Sequence, residues 1–174
     1  TARYRESERL AAVAVQRLTT FNPNPYDGEA HYRLGLARLR LGNLQGARDA
    51  FAKAAWNAGW RTPALVELAR LDVRDGAWVQ AVARLDAALA TDRDNLQAHD
   101  LLVVALRAAG RVEEADDRLA AHLAAEPLDW WAVDLAGKDL QTDAQTCLDV
   151  AYEYLAAGLW EDAARVAAVA AVRQ

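Results

Sequence analysis

Apolar residues recur along most of this chain every three or four positions, which is the spacing of amphipathic α-helices. Short segments rich in glycine, proline, asparagine or aspartate interrupt that spacing and mark helix ends. Thr62 and Pro63 are interpreted as the cap and first-turn proline of one helix, after a loose link over residues 57–60. The pattern predicts helices over residues 4–19, 28–41, 44–56, 62–74, 78–90, 96–109, 112–125, 130–136, 144–157 and 160–173. The chain is therefore predicted to be all-α.

The central part of the chain repeats itself three times in one register, over residues 28–61, 62–95 and 96–129. Each copy has a glycine between its two predicted helices and an alanine five residues later. These residues are Gly42, Gly76 and Gly110, followed by Ala47, Ala81 and Ala115. Glycine ends the first helix because it adopts the left-handed conformation without a Cβ penalty. The alanine lets the second helix approach the first closely.

A helix, a glycine turn and a second helix with a 34-residue period resemble the tetratricopeptide repeat family. The first copy carries Leu34-Gly35, Ala47, Phe51 and Ala54 at the positions that define the resemblance. The resemblance implies a right-handed α-solenoid of antiparallel helix pairs, in which neighbouring repeats bury a continuous core. We therefore expect one domain over residues 1–174.

The repeat register divides this domain into regular and irregular parts. Residues 1–25 read as the leading helix of a partial repeat, which the prolines of 22–25 end. Residues 130–143 read as an inserted short helix and loop, after which residues 144–174 form a fourth repeat. Irregular places in repeat arrays often map to a binding face. The start at Thr1 and the apolar end suggest a fragment of a larger protein, and the preference for arginine over lysine suggests a bacterial, GC-rich source.

Composition excludes several classes of function. The net charge of −5 argues against nucleic-acid binding as the main role. No apolar run is long and uncharged enough to predict a membrane span. The single cysteine, Cys147, allows no intramolecular disulfide and does not reveal the redox compartment. A cytoplasmic location is the default expectation.

No motif predicts catalysis, a cofactor or a metal. Cys147, His31 and His99 occupy the same core position of their repeats, and His122 a packing position in a second helix. The three histidines lack the i, i+4 spacing that places two imidazoles on one metal. We therefore predict packing histidines, no metal site, no cofactor and no enzyme.

The resemblance also implies which first-helix positions line a concave groove. The candidate binding residues at these positions are Tyr32, Arg40, Val66, Arg70, Arg74, Asp100, Val104, Arg107 and Tyr152. The groove is basic in an acidic protein, so it would suit an acidic peptide or a chain-terminal carboxylate held by forked arginine hydrogen bonds. Solvated groove charges without a ligand are the alternative.

Three tryptophans are candidate contact residues, namely Trp60 beside the first link and Trp130 and Trp131 at the start of the insertion. Adjacent residues of a helix point about 100° apart, so we expect Trp130 or Trp131 to be at least half exposed. An exposed indole would mark a contact with another domain, a partner or a sugar.

The leading functional hypothesis is a non-enzymatic protein-interaction scaffold that binds a peptide, or another domain of its parent chain, through the groove. The first alternative is an accessory region docked on the catalytic domain of a larger carbohydrate-processing enzyme. It rests on a weaker resemblance of residues 126–131, 148–152 and 157–163 to the repeat tails of large bacterial proteins with a carbohydrate-associated β-sandwich. The second alternative is self-association through the apolar C-terminal helix, giving a homo-oligomer.

Overall fold

The structure is a computed structural model that describes residues 2–22 and 27–173. These residues form ten α-helices and no strand. The helices are α1 (Ala2–Thr19), α2 (Glu29–Arg40), α3 (Leu44–Ala54), α4 (Ala58–Arg74), α5 (Trp78–Thr91), α6 (Leu96–Ala108), α7 (Val112–Ala125), α8 (Trp130–Leu135), α9 (Ala144–Ala156) and α10 (Trp160–Val172). The predicted prolines that end the first helix, at positions 23 and 25, lie outside the described residues.

The helices pair as antiparallel hairpins whose turns are set by glycine. Each hairpin has one glycine in the turn between its two helices, and all four glycines have φ between 70° and 81°. They are Gly42 in α2–α3, Gly76 in α4–α5, Gly110 in α6–α7 and Gly158 in α9–α10. A residue with a Cβ is strained in this left-handed region. The turns predicted from the glycine spacing are thus confirmed.

Helix α4 begins four residues earlier than predicted. Its N-cap is Asn57, whose side chain accepts a hydrogen bond from the Gly59 backbone N–H, and Pro63 lies inside the helix. The interpretation of Thr62 and Pro63 as cap and first-turn proline was therefore wrong. An asparagine cap is among the strongest helix-start signals, and the proline removes only one backbone donor near the helix start.

The hairpins pack through the small residues that the repeat pattern singled out. Ala47, Ala81 and Ala115 are fully buried, as is Phe51 between the first and second repeats. One continuous apolar core then runs from α4 to α10. None of the described helices is both long and apolar enough to cross a membrane.

The C-terminal hairpin reaches back toward the first two repeats. Helix α8 packs against α6 and α7, and α9 packs against α8 and α10. From α9, Tyr152 contacts Arg40 of α2, and Glu153 contacts both Arg70 of α4 and Gln97 of α6. The hairpin α9–α10 therefore lies across the face formed by the first helices of the three regular repeats.

Candidate functional site

A cleft of about 420 Å³ lies where the C-terminal hairpin meets α2 and α4. Its walls combine aliphatic, aromatic and charged side chains. They are Leu36, Leu39, Arg40, Glu67, Arg70, Arg74, Tyr152, Leu155, Ala156 and Trp160. Of the predicted groove residues, the structure brings together Arg40, Arg70, Arg74 and Tyr152 in this cleft.

Arg70 is held by two carboxylates at the base of the cleft. It is only 9% exposed, donates to Glu67 at 3.0 Å and donates to Glu153. Gln97 donates to the other oxygen of Glu153 at 2.7 Å. Burial raises the pKa of Glu67, and the Arg70 charge opposes that rise. Arg70 is thus an internal ion-pair partner.

Arg40 and Arg74 are exposed guanidinium groups on the cleft wall. Arg40 donates a hydrogen bond to the Tyr152 hydroxyl, and its guanidinium carbon lies 5.9 Å from the centre of the Tyr152 ring. Arg74 lies 6.0 Å from the centre of the Trp160 ring. Among the described residues neither arginine forms an ion pair with a carboxylate.

The cleft therefore carries an excess of positive charge. Three guanidinium groups, of Arg40, Arg70 and Arg74, face two carboxyl groups, of Glu67 and Glu153. Exposed arginines beside aromatic rings suit a carboxylate, which the guanidinium fork binds with two hydrogen bonds.

Two further predicted groove residues are packing residues of the first repeats. The Tyr32 ring lies 5.6 Å from the Phe51 ring and 5.0 Å from the Trp60 ring, measured between ring centres. Burial raises the pKa of Tyr32 to about 12. Val66 is buried in the main core. Neither residue lines the cleft.

The remaining groove candidates lie on the third repeat, away from the cleft. Arg107 donates to the backbone carbonyl of Leu135 at 2.7 Å and to Asp116 at 2.8 Å, which ties α6 to the end of α8. Val104 is partly buried, and Asp100 is buried. The groove positions were assigned from regular repeats, in which no extra helix packs on the first helix. Here the inserted helix α8 packs against α6.

The candidate contact tryptophans are packed inside the fold. Trp131 is 3% exposed and meets the Tyr154 ring edge-on at 5.3 Å, and Trp130 is partly buried. The expectation that one of this pair is at least half exposed was wrong, because the short α8 is enclosed by α6, α7 and α9. Trp60 is partly buried and donates from its ring nitrogen to Asp27 at 2.9 Å. Trp160, in contrast, is 59% exposed at the cleft.

A second group of polar side chains is buried where α6, α7 and α8 meet. Asp100, His122 and Asp129 place one ligand-type atom each within 4.8 Å of the others. Burial raises the pKa of Asp100 to about 9, and the neighbouring Asp129 adds to the rise. The His99 ring stacks on the His122 ring at 4.5 Å between centres. Spacing along one helix gave no sign of this cluster, because its members come from three elements.

Comparisons with known proteins give a fold and no family. No family model and no curated protein matches the chain, and the weaker resemblance to repeat tails of carbohydrate-associated bacterial proteins finds no support.

Solved structures do match, over nearly the whole chain. A structure described as MamA RS-1 ArsTM double mutant has 18% identity and a TM-score of 0.59, covering 94% of this chain and 80% of its own. MamA AMB-1 has 19% identity and a TM-score of 0.55, with coverage of 99% and 89%. MamA from Desulfovibrio magneticus RS-1 has 17% identity and a TM-score of 0.51, with coverage of 94% and 93%. The predicted all-α solenoid of antiparallel helix pairs is therefore confirmed.

Proposed function

We propose that this chain is a non-enzymatic protein-interaction module whose cleft binds an acidic chain terminus or acidic side chain of a partner protein. The observation that carries the proposal is the pair Arg40 and Arg74, two exposed cations on the wall of one cleft. Neither forms a close ion pair among the described residues, although Arg40 interacts electrostatically with Glu67. Tyr152 adds a hydroxyl beside Arg40 and supplies a third polar group for the same ligand.

The size and walls of the cleft narrow the kind of ligand. A volume of about 420 Å³ is at the small end of the range of about 300–1,000 Å³ for ligand sites. It suits one or two residues of a partner better than a long extended peptide. Leu36, Leu39 and Leu155 line the remainder, so an apolar side chain next to the carboxylate would be buried against them.

Glu153 shows the chemistry that this face of the protein already accepts. It is an acidic side chain that lies on the first-helix face, and it is bound there by Arg70 and Gln97. We infer that Arg40 and Arg74 bind a second carboxylate, from a partner protein, by donating hydrogen bonds to it in the same manner.

The proposal is tested by peptide capture. An immobilised library of peptides with random C-terminal pairs, each made with a free carboxylate and with a terminal amide, is probed with labelled protein. The unsubstituted chain should select free carboxylates or acidic side chains, and the selection should weaken with salt because the contacts are charged. The double variant Arg40→Gln/Arg74→Gln should lose about tenfold or more in affinity, since each charged hydrogen bond contributes about 1.5–3 kcal/mol.

The matched control is Arg5→Gln/Arg93→Gln, which removes two exposed arginines that do not line the cleft. This variant has the same net charge as the cleft variant, so nonspecific attraction falls equally in both. Equal binding by the two double variants, or equal capture of free and amidated peptides that lack acidic side chains, would refute the proposal. Arg70 is not substituted, because its loss would leave Glu67 buried without its partner.

A further inference from the structure

The buried cluster of Asp100, His122 and Asp129 joins three elements of the fold. Asp100 lies on α6, His122 in the last turn of α7, and Asp129 immediately before α8. The His122 Nε2 and an Asp129 oxygen are 2.8 Å apart. All three ligand-type atoms lie within 4.8 Å of one another, although Asp100 and Asp129 are 29 positions apart in the sequence.

The hydrogen bonds of the cluster leave one atom unsatisfied. One Asp129 oxygen accepts from the backbone N–H groups of Trp131 and Ala132, and the other faces His122. Asp100 is 1% exposed, and its Oδ1 has no hydrogen-bond partner among the described residues. A buried carboxyl oxygen without a partner costs free energy of about 1–3 kcal/mol. A cation bound within reach of this oxygen would remove that cost.

We propose that Asp100, His122 and Asp129 form a binding site for one divalent first-row metal ion of the Zn²⁺ type. Two carboxylate oxygens and one imidazole nitrogen are a donor set that Zn²⁺ accepts, whereas Ca²⁺ and Mg²⁺ prefer oxygen alone. No thiolate belongs to the set, so soft Cu⁺ is disfavoured. Asp100 would lose its proton when the ion binds, and the two carboxylates would then balance the charge of the ion.

The geometry requires only a small adjustment. Ligand atoms of a tetrahedral zinc site, with bonds of about 2.0–2.2 Å, lie about 3.3 Å apart. The atoms of this cluster are already within 4.8 Å, and one pair is at 2.8 Å. Side-chain rotations that move these atoms by up to about 1.5 Å would bring the three into range. The fourth position of the ion would be filled by water or by another donor.

Bound there, the ion would fasten the third repeat to the inserted helix. It would connect α6 and α7 with the residue that caps α8, and α8 in turn packs against α9 of the C-terminal hairpin. The metal would thus stabilise the placement of the hairpin. The metal site is separate from the cleft, so the proposal of a metal ion does not depend on the proposed ligand of the cleft.

The experiment uses the full chain, stripped with chelator and titrated with Zn²⁺ by calorimetry, with bound metal counted by elemental analysis. Co²⁺ is used as a second probe, because its visible absorption reports tetrahedral coordination. We expect one equivalent per chain, an intense Co²⁺ band and a rise in Tm with Zn²⁺. Asp100→Asn, which keeps the shape of the side chain, should bind at least about tenfold more weakly and lose most of the Tm rise.

The matched control is Asp116→Asn on the exposed side of α7, which should bind as tightly as the unsubstituted chain. Absence of a stoichiometric ion, or Zn²⁺ binding unchanged by Asp100→Asn, overturns the proposal. A chain that binds no metal and is stabilised by Asp100→Asn also overturns it, since the cluster would then hold a shared proton. If Asp100→Asn does not fold, stoichiometry and the Co²⁺ spectrum of the unsubstituted chain still decide the question.

Discussion

The contact between the C-terminal hairpin and α4 is tested by a pair of glycine substitutions. Gly110 and Gly158 occupy equivalent hairpin turns, with φ of 79° and 81°. A Cβ added at Gly110 meets no atom within 4 Å. A Cβ added at Gly158 lies 2.5 Å from Cγ and 3.3 Å from Cδ of Arg74. The two alanine variants therefore share the backbone strain and differ in one tertiary contact.

The expected energies follow from these distances. An alanine in the left-handed region costs about 1–2 kcal/mol, and this term is common to both variants. Carbon atoms pack at about 3.5–4.0 Å, so Gly158→Ala must push the Arg74 stem away by about 1 Å. That shift removes Arg74 from the Trp160 ring, a contact of about 0.5–1 kcal/mol. We therefore expect Gly158→Ala to be the more destabilising variant by about 1 kcal/mol.

Urea unfolding followed by circular dichroism gives the free energy of unfolding of each variant. For a chain of this length, about 1 kcal/mol corresponds to a Tm difference of about 2–4 °C. The difference between Gly110→Ala and Gly158→Ala should vanish in an Arg74→Ala background, because the obstructing stem is gone. Equal losses in the original background, or a difference that persists without the Arg74 side chain, would refute the position of the hairpin against α4.

Three other predictions follow from buried side chains. Phe51→Ala should lower the free energy of unfolding by about 3–5 kcal/mol in urea unfolding, since its ring is fully buried between two repeats; a loss below 1 kcal/mol would contradict that packing. Asp134→Asn should lower the free energy of unfolding by about 2 kcal/mol, because Arg165 and Tyr154 both donate hydrogen bonds to this carboxylate. An Arg165→Gln variant measures how much of that loss comes from the partly exposed arginine. Burial opposes ionisation of Asp134, but these hydrogen bonds hold its pKa below the usual 3.8. The stability that the ionised carboxylate contributes is therefore present above pH 3.8 and is lost as pH falls through the lower folded pKa. The loss of unfolding free energy caused by Asp134→Asn should be smaller at pH 3 than at pH 6. His31→Leu should stabilise the chain by about 1 kcal/mol at pH 8, because Nε2 of this buried ring has no hydrogen-bond partner among the described residues. Burial, with Lys53 nearby, lowers the pKa of His31 below 6.5, so the gain should grow as pH falls from 6.5; a constant gain would contradict the lowered pKa.

The sequence predicted the helices well because their signals are local. Nine of the ten helix starts lie within two residues of the predicted ones, and each hairpin turn has its glycine at the expected place. The repeat period and the positions of its glycine and alanine depend on contacts within one helical hairpin. The order of residues along a short segment is therefore enough to predict them. The exception is α4, where two start signals compete and Asn57 prevails over Thr62 and Pro63.

The site was only partly predictable because it depends on contacts between distant segments. Repeat positions identified Arg40, Arg70, Arg74 and Tyr152 as residues of one surface, and the structure places all four in one cleft. They could not show that Glu153, 83 residues away, pairs with Arg70. Repeat positions likewise could not show that Asp100 and Asp129 come together with His122.

The inserted segment explains why the cleft is small. In a regular array the first helices leave a continuous groove, but here residues 130–143 allow α9 to lie across that face. The hairpin then neutralises Arg70 from inside with Glu153, and it leaves Arg40 and Arg74 beside its own Tyr152 and Trp160. Arg70 is buried and already paired, whereas Arg40 and Arg74 are exposed. A ligand would therefore gain little by displacing Glu153 from its partly buried ion pair with Arg70. Recognition is therefore expected at the exposed pair, and a Glu153→Gln variant should weaken the hairpin contact while leaving Arg40 and Arg74 able to bind a carboxylate.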